Sequence, residues 1–290
     1  MDLTGLSAAS PLLLATAAGL LGLVVGSFIN VVSYRLPIML EREWRAQCAE
    51  LSGQSGVDEA AGVFNLATPR SHCPKCGRRL RVRENIPLFS YIFLRGRCAS
   101  CQTRIPLQYP VVEALTGALT AVVVWRFGLT GPALAAMLLT WGLIALSVID
   151  LQHQLLPDRV ILPLLWLGIG LGLFDVFIDL RSSVIGAMAG YLSLWLVYHG
   201  FRVLTGKEGI GYGDFKLLAM LGAWAGWQSL LIIVILSSLT GAVSGTVLMV
   251  VRGGDRNMRI PFGPFLAVAG WVTVLWGASL QRLYWHWMAF

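Results

Sequence analysis

Two kinds of side chain in this 290-residue sequence stand where they could do chemistry: aspartates against apolar runs, and cysteines in close pairs. Asp214 lies in Gly211-Tyr212-Gly213-Asp214-Phe215-Lys216, two glycines before it and apolar sequence about to resume after it. Asp150 ends another apolar run, in Ser147-Val148-Ile149-Asp150-Leu151. A carboxylate at membrane depth is costly, so it marks a functional site by default. Two such groups held close cannot both ionise and share a proton. One can then take a proton from a water that attacks a carbonyl, while the other protonates the oxyanion or the leaving amine. That is peptide hydrolysis with no metal and no covalent intermediate. Gly211 and Gly213 would let a substrate backbone approach and let the chain bend before a helix. Taken singly, each aspartate also fits a cap or an ion pair, with Lys216 serving Asp214 and Arg159 serving Asp150, and the two together fit a proton relay. Asp158, in Leu156-Pro157-Asp158, reads as a cap or turn residue.

Four of the five cysteines form Cys73-Pro74-Lys75-Cys76 and Cys98-Ala99-Ser100-Cys101, separated by 21 residues. Two such turns can present four thiolates tetrahedrally to zinc, and a four-cysteine site leaves no open position for catalysis, so the expected role is structural. Cys48 is left over as a free thiol. Glu113, in Tyr109-Pro110-Val111-Val112-Glu113, enters an apolar segment and needs a partner there, Asn30 or a loop arginine. His153 lies one helical turn from Asp150, and His72 precedes the first cysteine pair; neither carries a strong signal.

These residues need elements to hold them. The chain is 56% apolar and 13% charged, against about 25% charged for soluble domains, so it is an integral membrane protein. Stretches of about 20 apolar residues predict eight spans, near 11–34, 108–126, 132–150, 156–178, 183–203, 214–226, 228–251 and 262–281. The short sixth span is expected to be broken or partly re-entrant. The fold class expected is an all-α polytopic membrane protein with a small cytoplasmic zinc-binding loop domain. Residues 1–35 form the first span, 36–106 the loop domain with a short helix at Glu41 to Glu50, and 107–290 a seven-helix membrane core. The N-terminus lacks a basic region, so the first span should stay in place rather than be cleaved. Twelve of the 22 basic residues, counting Arg35 at its edge, fall in the loop domain and seven more on the same side of the spans, leaving only Arg126, Arg181 and Arg282 opposite. The positive-inside rule then makes the loop domain cytoplasmic and both termini external, with Asp150 and Asp214 at the cytoplasmic ends of their spans. That placement also accounts for the net charge of +7 without nucleic acid, for which no motif is present.

Several stretches together resemble the bacterial type IV prepilin peptidases, a GxGD aspartic protease family: GSFINVVSYRLP, CPKCG with CASC, YPVVEALTG, DLQHQLLPD, GYGDFKLLAMLGAW and IPFGPFLAVAG. They run in the family's order through nearly the whole chain. The resemblance implies a multi-pass enzyme of the bacterial inner membrane that acts in type IV pilus assembly and type II secretion. It would remove the basic leader of prepilins and pseudopilins, then N-methylate the new terminus with S-adenosylmethionine. Asp150 and Asp214 map onto the catalytic pair, with Gly211 and Gly213 in the catalytic loop. Cys73, Cys76, Cys98 and Cys101 map onto the four-cysteine segment of bifunctional members. The methyl-donor site is not fixed by any motif; Gly96 and Glu113 are its candidates. Asp158 and Glu208 are candidates to attract the basic leader.

Overall fold

A computed structural model describes residues 10–53, 64–206, 211–252 and 261–288. Glu208 and the basic residues Lys207, Arg256 and Arg259 lie outside the described residues. The described chain is helical and has no strand, and it packs as two compact units, Met1–Leu129 and Thr130–Phe290. Five helical stretches are long and apolar enough to cross a bilayer: Pro11–Leu51, Gln108–Phe127, Gly131–His153, Leu180–Thr205 and Trp227–Val247. With a four-cysteine cluster in addition, this is an all-α, multi-pass membrane protein. Helices also form at the other three expected spans: the one at 156–178 is shorter than expected, Asp158–Gly172, whereas Tyr212–Ala225 and Gly263–Met288 cover nearly all of theirs.

In the first unit, α1 (Pro11–Leu51) begins at Ser10, whose hydroxyl accepts from the Leu13 amide, with Pro11 at the first helical position where its missing N–H costs nothing. The sequence suggested a span ending near Tyr34 and a separate helix at Glu41 to Glu50. The structure instead shows one helix of 41 residues that runs through Pro37. The good helix formers beyond Pro37, with an Arg45–Glu41 pair one turn apart at 2.5 Å, carry it past the proline. At 1.5 Å per residue it is about 60 Å long, roughly twice a bilayer core, so much of its length lies outside hydrocarbon. Helix α2 (Phe89–Phe93) is a single short turn, and α3 (Gln108–Phe127) lies against α1. Small residues allow that approach: a Cβ at Gly22 would come within 2.6 Å of the Thr120 hydroxyl, and one at Gly26 within 2.7 Å of the Glu113 Cα.

The second unit contains α4 (Gly131–His153), α5 (Asp158–Gly172), α6 (Leu180–Thr205), α7 (Tyr212–Ala225), α8 (Leu230–Arg252) and α9 (Gly263–Met288). Helix α7 is its axis. From Leu217 to Ala225 every residue is buried, as expected of a helix apolar all round. Its 14 residues span only about 21 Å, too short to cross hydrocarbon unaided; burial among α5, α6, α8 and α9 makes this length tolerable. Glycines bring α6 and α7 into backbone contact, because a Cβ at Gly186 would sit 2.2 Å from the Gly222 carbonyl oxygen. Ser183 donates to the Ala223 carbonyl at 2.7 Å, and the Trp224 indole donates to the Leu164 carbonyl of α5 at 2.8 Å. Asp179 caps α6 by accepting from the Ser182 amide at 3.0 Å.

Candidate active site and metal centre

Asp150 occupies the last turns of α4, and Asp214 the first turn of α7. Both are buried, at 5% and 8% exposure, deep for unpaired acids. Oδ2 of Asp150 accepts from the Gly263 amide at 3.1 Å, in the first turn of α9. That N–H has no partner within its own helix, and the N-terminal end of a helix favours a nearby anion. Asp214 takes the same position at the start of α7 and turns its own amide to the Gly211 carbonyl at 3.1 Å. Leu156 joins the two halves: a Cβ at Gly213 would meet its Cβ at 2.7 Å, and a Cβ at Gly263 would meet its Cδ2 at 3.3 Å. Asp150, Gly263, Leu156, Gly213 and Asp214 therefore form one continuous cluster, in which the two carboxylates interact electrostatically. Oδ1 of Asp214 is buried with no hydrogen-bond partner among the described residues. It is the acceptor left to hold a water.

The glycines of the loop act differently from one another. The space beside Gly213 is filled by Leu156, so its missing side chain admits α5's lead-in rather than a substrate. Gly211 is exposed, and the nearest atom to a Cβ there would be Asp214 Oδ2 at 3.5 Å, which keeps the approach to the carboxylate open. Lys216 does not serve Asp214; its ammonium bridges both oxygens of Asp158 at 2.8 and 2.7 Å. Asp158 is thus half of an ion pair in the first turn of α5, with no side-chain capping bond. His153 is exposed. Tyr212 and Phe215 stack with Tyr198 of α6, at centroid distances of 5.2 and 5.7 Å, and wall one side of the start of α7. Sequence reasoning gave no role to Gly263 or Leu156. The signal was that both lie in stretches that carry the family resemblance, DLQHQLLPD and IPFGPFLAVAG.

In the first unit the sulfur atoms of Cys73, Cys76, Cys98 and Cys101 all lie within 4.8 Å of one another. Cys73 Sγ and Cys101 Sγ are 3.7 Å apart. Four sulfurs at about 2.3 Å from one zinc would be separated by about 3.8 Å, so the cluster can hold the ion with little adjustment. The two turns are built alike. The Gly77 amide donates to the Cys73 carbonyl and the Gln102 amide to the Cys98 carbonyl, at 2.9 and 3.0 Å. Each turn is closed by one antiparallel bridge, His72 with Arg79 and Arg97 with Arg104. The residue after the second cysteine is left-handed in both, Gly77 at φ 67° and Gln102 at φ 55°. Hydrogen bonds from the Thr103 hydroxyl and amide lower the Cys101 thiol to about 6. The Arg78 amide favours the Cys76 thiolate, but desolvation and the neighbouring sulfurs outweigh it and push that thiol up to about 11. A dication would remove this mutual repulsion. Glu84 braces the first turn through Arg78 and the Arg81 amide, and Arg78 holds its carboxyl below the usual range.

The two methyl-donor candidates both have structural partners. Gly96 is left-handed at φ 67°, and a Cβ there would lie 2.8 Å from the Tyr91 hydroxyl. Glu113, at 8% exposure, accepts from the Leu88 amide at 2.9 Å and hydrogen bonds to Ser27. The expected partner Asn30 donates instead to the Tyr109 carbonyl at 3.1 Å. Leu88 is left-handed at φ 59°, which turns its amide to Glu113.

Comparison with known proteins gives the family. Residues 20–127 match the bacterial peptidase A24 N-terminal domain, and residues 137–246 the type IV leader peptidase family. A prepilin leader peptidase/N-methyltransferase of Pseudomonas aeruginosa is 51% identical over 98% of both chains. Namesakes from Stutzerimonas stutzeri and Aeromonas hydrophila are 50% identical over 96% and 53% identical over 91% of both chains. No solved structure matches. The chain belongs to the family of prepilin leader peptidase/N-methyltransferases, enzymes with a protease and a methyltransferase activity.

Proposed function

We propose that Asp150 and Asp214 together hydrolyse the leader peptide bond of prepilins and pseudopilins, and that this chain then methylates the new N-terminus. The observation that carries the hydrolytic reading is the continuity of the two buried carboxylates through Gly263, Leu156 and Gly213. One carboxylate takes a proton from water as the oxygen bonds to the scissile carbonyl carbon. The other passes its proton to the leaving amine as the C–N bond breaks, so the pair ends with the single proton it began with. The exposed side at Gly211 receives the substrate backbone, and burial elsewhere keeps bulk water out.

The basic residues support a cytoplasmic loop segment, external termini and an inner-membrane location. By function we divide the chain into residues 1–35 as a first span, 36–106 as a zinc-stabilised segment and 107–290 as the membrane core, although α1 runs on past residue 35 and α3 packs with it in the first unit. Under that orientation the aspartates stand at the cytoplasmic face, where the basic leader of a substrate meets its apolar helix. Attraction of that leader falls less to Asp158, already neutralised by Lys216. The four cysteinates hold zinc in a structural role, with no position for substrate. S-adenosylmethionine, when bound, supplies an electrophilic methyl group for the neutral terminal amine.

The test uses purified full-length protein and a prepilin in detergent. Asp150→Asn and Asp214→Asn should each abolish cleavage while methylation of a pre-cleaved substrate continues. Cleavage persisting in either variant rejects the pair.

A further inference from the structure

The first unit contains a cavity of about 340 Å³ that the aspartate chemistry does not use. Its walls come from one face of α1, with Ser27, Phe28, Val31 and Arg35 at helical spacing, and from the loop that carries Leu66 and Asn85. The volume is that of a small-molecule site.

Arg35 is 6% exposed. Its guanidinium is braced by three carbonyls, those of Asn65 at 2.8 Å, Leu66 at 3.3 Å and Pro69 at 2.5 Å. These acceptors are neutral, and among the described residues no carboxylate pairs with it. A guanidinium cannot shed its proton, and three bonds leave part of its donor fork unused. A buried charge without a counter-charge is expensive. Its retention at a cavity wall points to an anion that arrives with a ligand, and the planar fork suits a carboxylate.

At the opposite end of the cavity a carboxyl group stands behind the wall. Ser27 lies eight residues before Arg35 on α1, about 12 Å away along the helix. Its hydroxyl bonds to Glu113, whose backbone is drawn against α1 by Gly26. The cavity thus has a cation at one end, an acid behind the other, and apolar walls between. We infer that this cavity binds the methyl donor, with the carboxylate of its amino-acid end on Arg35 and the rest of the molecule along the apolar wall toward Ser27. The inference rests on the methyltransferase reading above and makes Arg35 the main determinant of donor binding.

The test is a binding measurement. Equilibrium dialysis of full-length, zinc-loaded protein in detergent would compare S-adenosylhomocysteine with its decarboxylated counterpart. Wild type should prefer the carboxylate form by roughly tenfold to a hundredfold, as for a charge-assisted hydrogen bond. Arg35→Ala should erase the preference, and Arg35→Lys should keep part of it. Should Arg35→Ala lose its zinc and fail to fold, Ala67→Trp, which fills the cavity and leaves the carbonyl brace in place, should weaken both ligands. No preference in wild type, or a preference untouched by Arg35→Ala, overturns the inference. If wild type nevertheless methylates a pre-cleaved substrate, the methyltransferase reading survives and only the cavity assignment falls. If wild type neither binds the adenosyl ligand nor transfers methyl groups, both fall.

Discussion

The cysteine cluster of the first unit and the aspartate pair of the second are assembled by different physics. Each half of the cysteine cluster is a local turn, closed by its own backbone hydrogen bonds within about eight residues of chain. The two halves need an ion to offset four sulfurs in contact. The aspartates have no such local frame. They come from chain 64 residues apart, and a third stretch, at Gly263, completes their site from a further helix. What holds them is the packing of α7 inside its bundle. The first site should therefore fail when an ion is removed, and the second when a methyl group is added.

The largest effect should come from chelation. Structural zinc contributes on the order of 10 kcal/mol of binding free energy, which is also folding free energy. Stripping the metal should open residues 64–107 to limited proteolysis and leave helices α4 to α7 uncut; an unchanged digestion pattern would contradict a structural metal. Binding should release protons, since a thiol near 11 must ionise to become a ligand. Zinc affinity should therefore rise with pH and fall steeply once the solution is acid enough to protonate Cys101, near 6. Titration with a zinc-sensitive dye across that range gives the slope.

The converse test adds bulk to the α6–α7 contact. Gly186→Ala puts a Cβ against the Gly222 carbonyl oxygen, a rigid neighbour that cannot swing away. It should cost about 1–3 kcal/mol and reduce cleavage, with the zinc content unchanged. Equal loss of zinc and cleavage would show that the two units do not fail separately.

A sharper version acts within the site. Gly213→Ala would drive its Cβ into Leu156, displacing the first turn of α7 and with it Asp214. Cleavage should drop at least tenfold, since small displacements of catalytic groups are costly. Adding Leu156→Ala should restore part of it. A double variant as impaired as the single one would mean that Gly213 serves substrate approach instead.

The smallest effect is expected on the surface. Lys216→Ala breaks an ion pair whose members are 34% and 50% exposed. Such pairs contribute about 0–1 kcal/mol, so cleavage should hardly change. A large loss would return Lys216 to the neighbourhood of Asp214.

The same contrast explains what the sequence could reveal. The cysteine turns were legible because their spacing is their geometry; the left-handed residue after each pair was not, since Gln102 carries no such signal. Asp150 and Asp214 were legible as costly charges in apolar sequence. The atoms that unite them were not. Leu156 looks like any other apolar residue, and Gly263 like a helix start, because contacts between distant helices leave no periodic trace. Pro37 misled for a related reason. It signals a helix end locally, yet α1 continues through it, supported by the helix formers beyond. At α7 the short length was legible, but it suggested a broken or partly re-entrant span, whereas the helix is continuous because protein surrounds it. The partners of Glu113 and Lys216 were also out of reach, being set by a left-handed turn at Leu88 and by the approach of α5.

The most direct test of the central claim is a double-mutant cycle on cleavage of a full-length prepilin by Asp150→Asn, Asp214→Asn and the combined variant. Groups that act as one unit are grossly non-additive. Each single change should cost essentially the whole enhancement, and the double should be no slower than either. Losses that multiply, or one single variant that still cleaves near the wild-type rate with its zinc in place, would show that the two aspartates do not share a reaction.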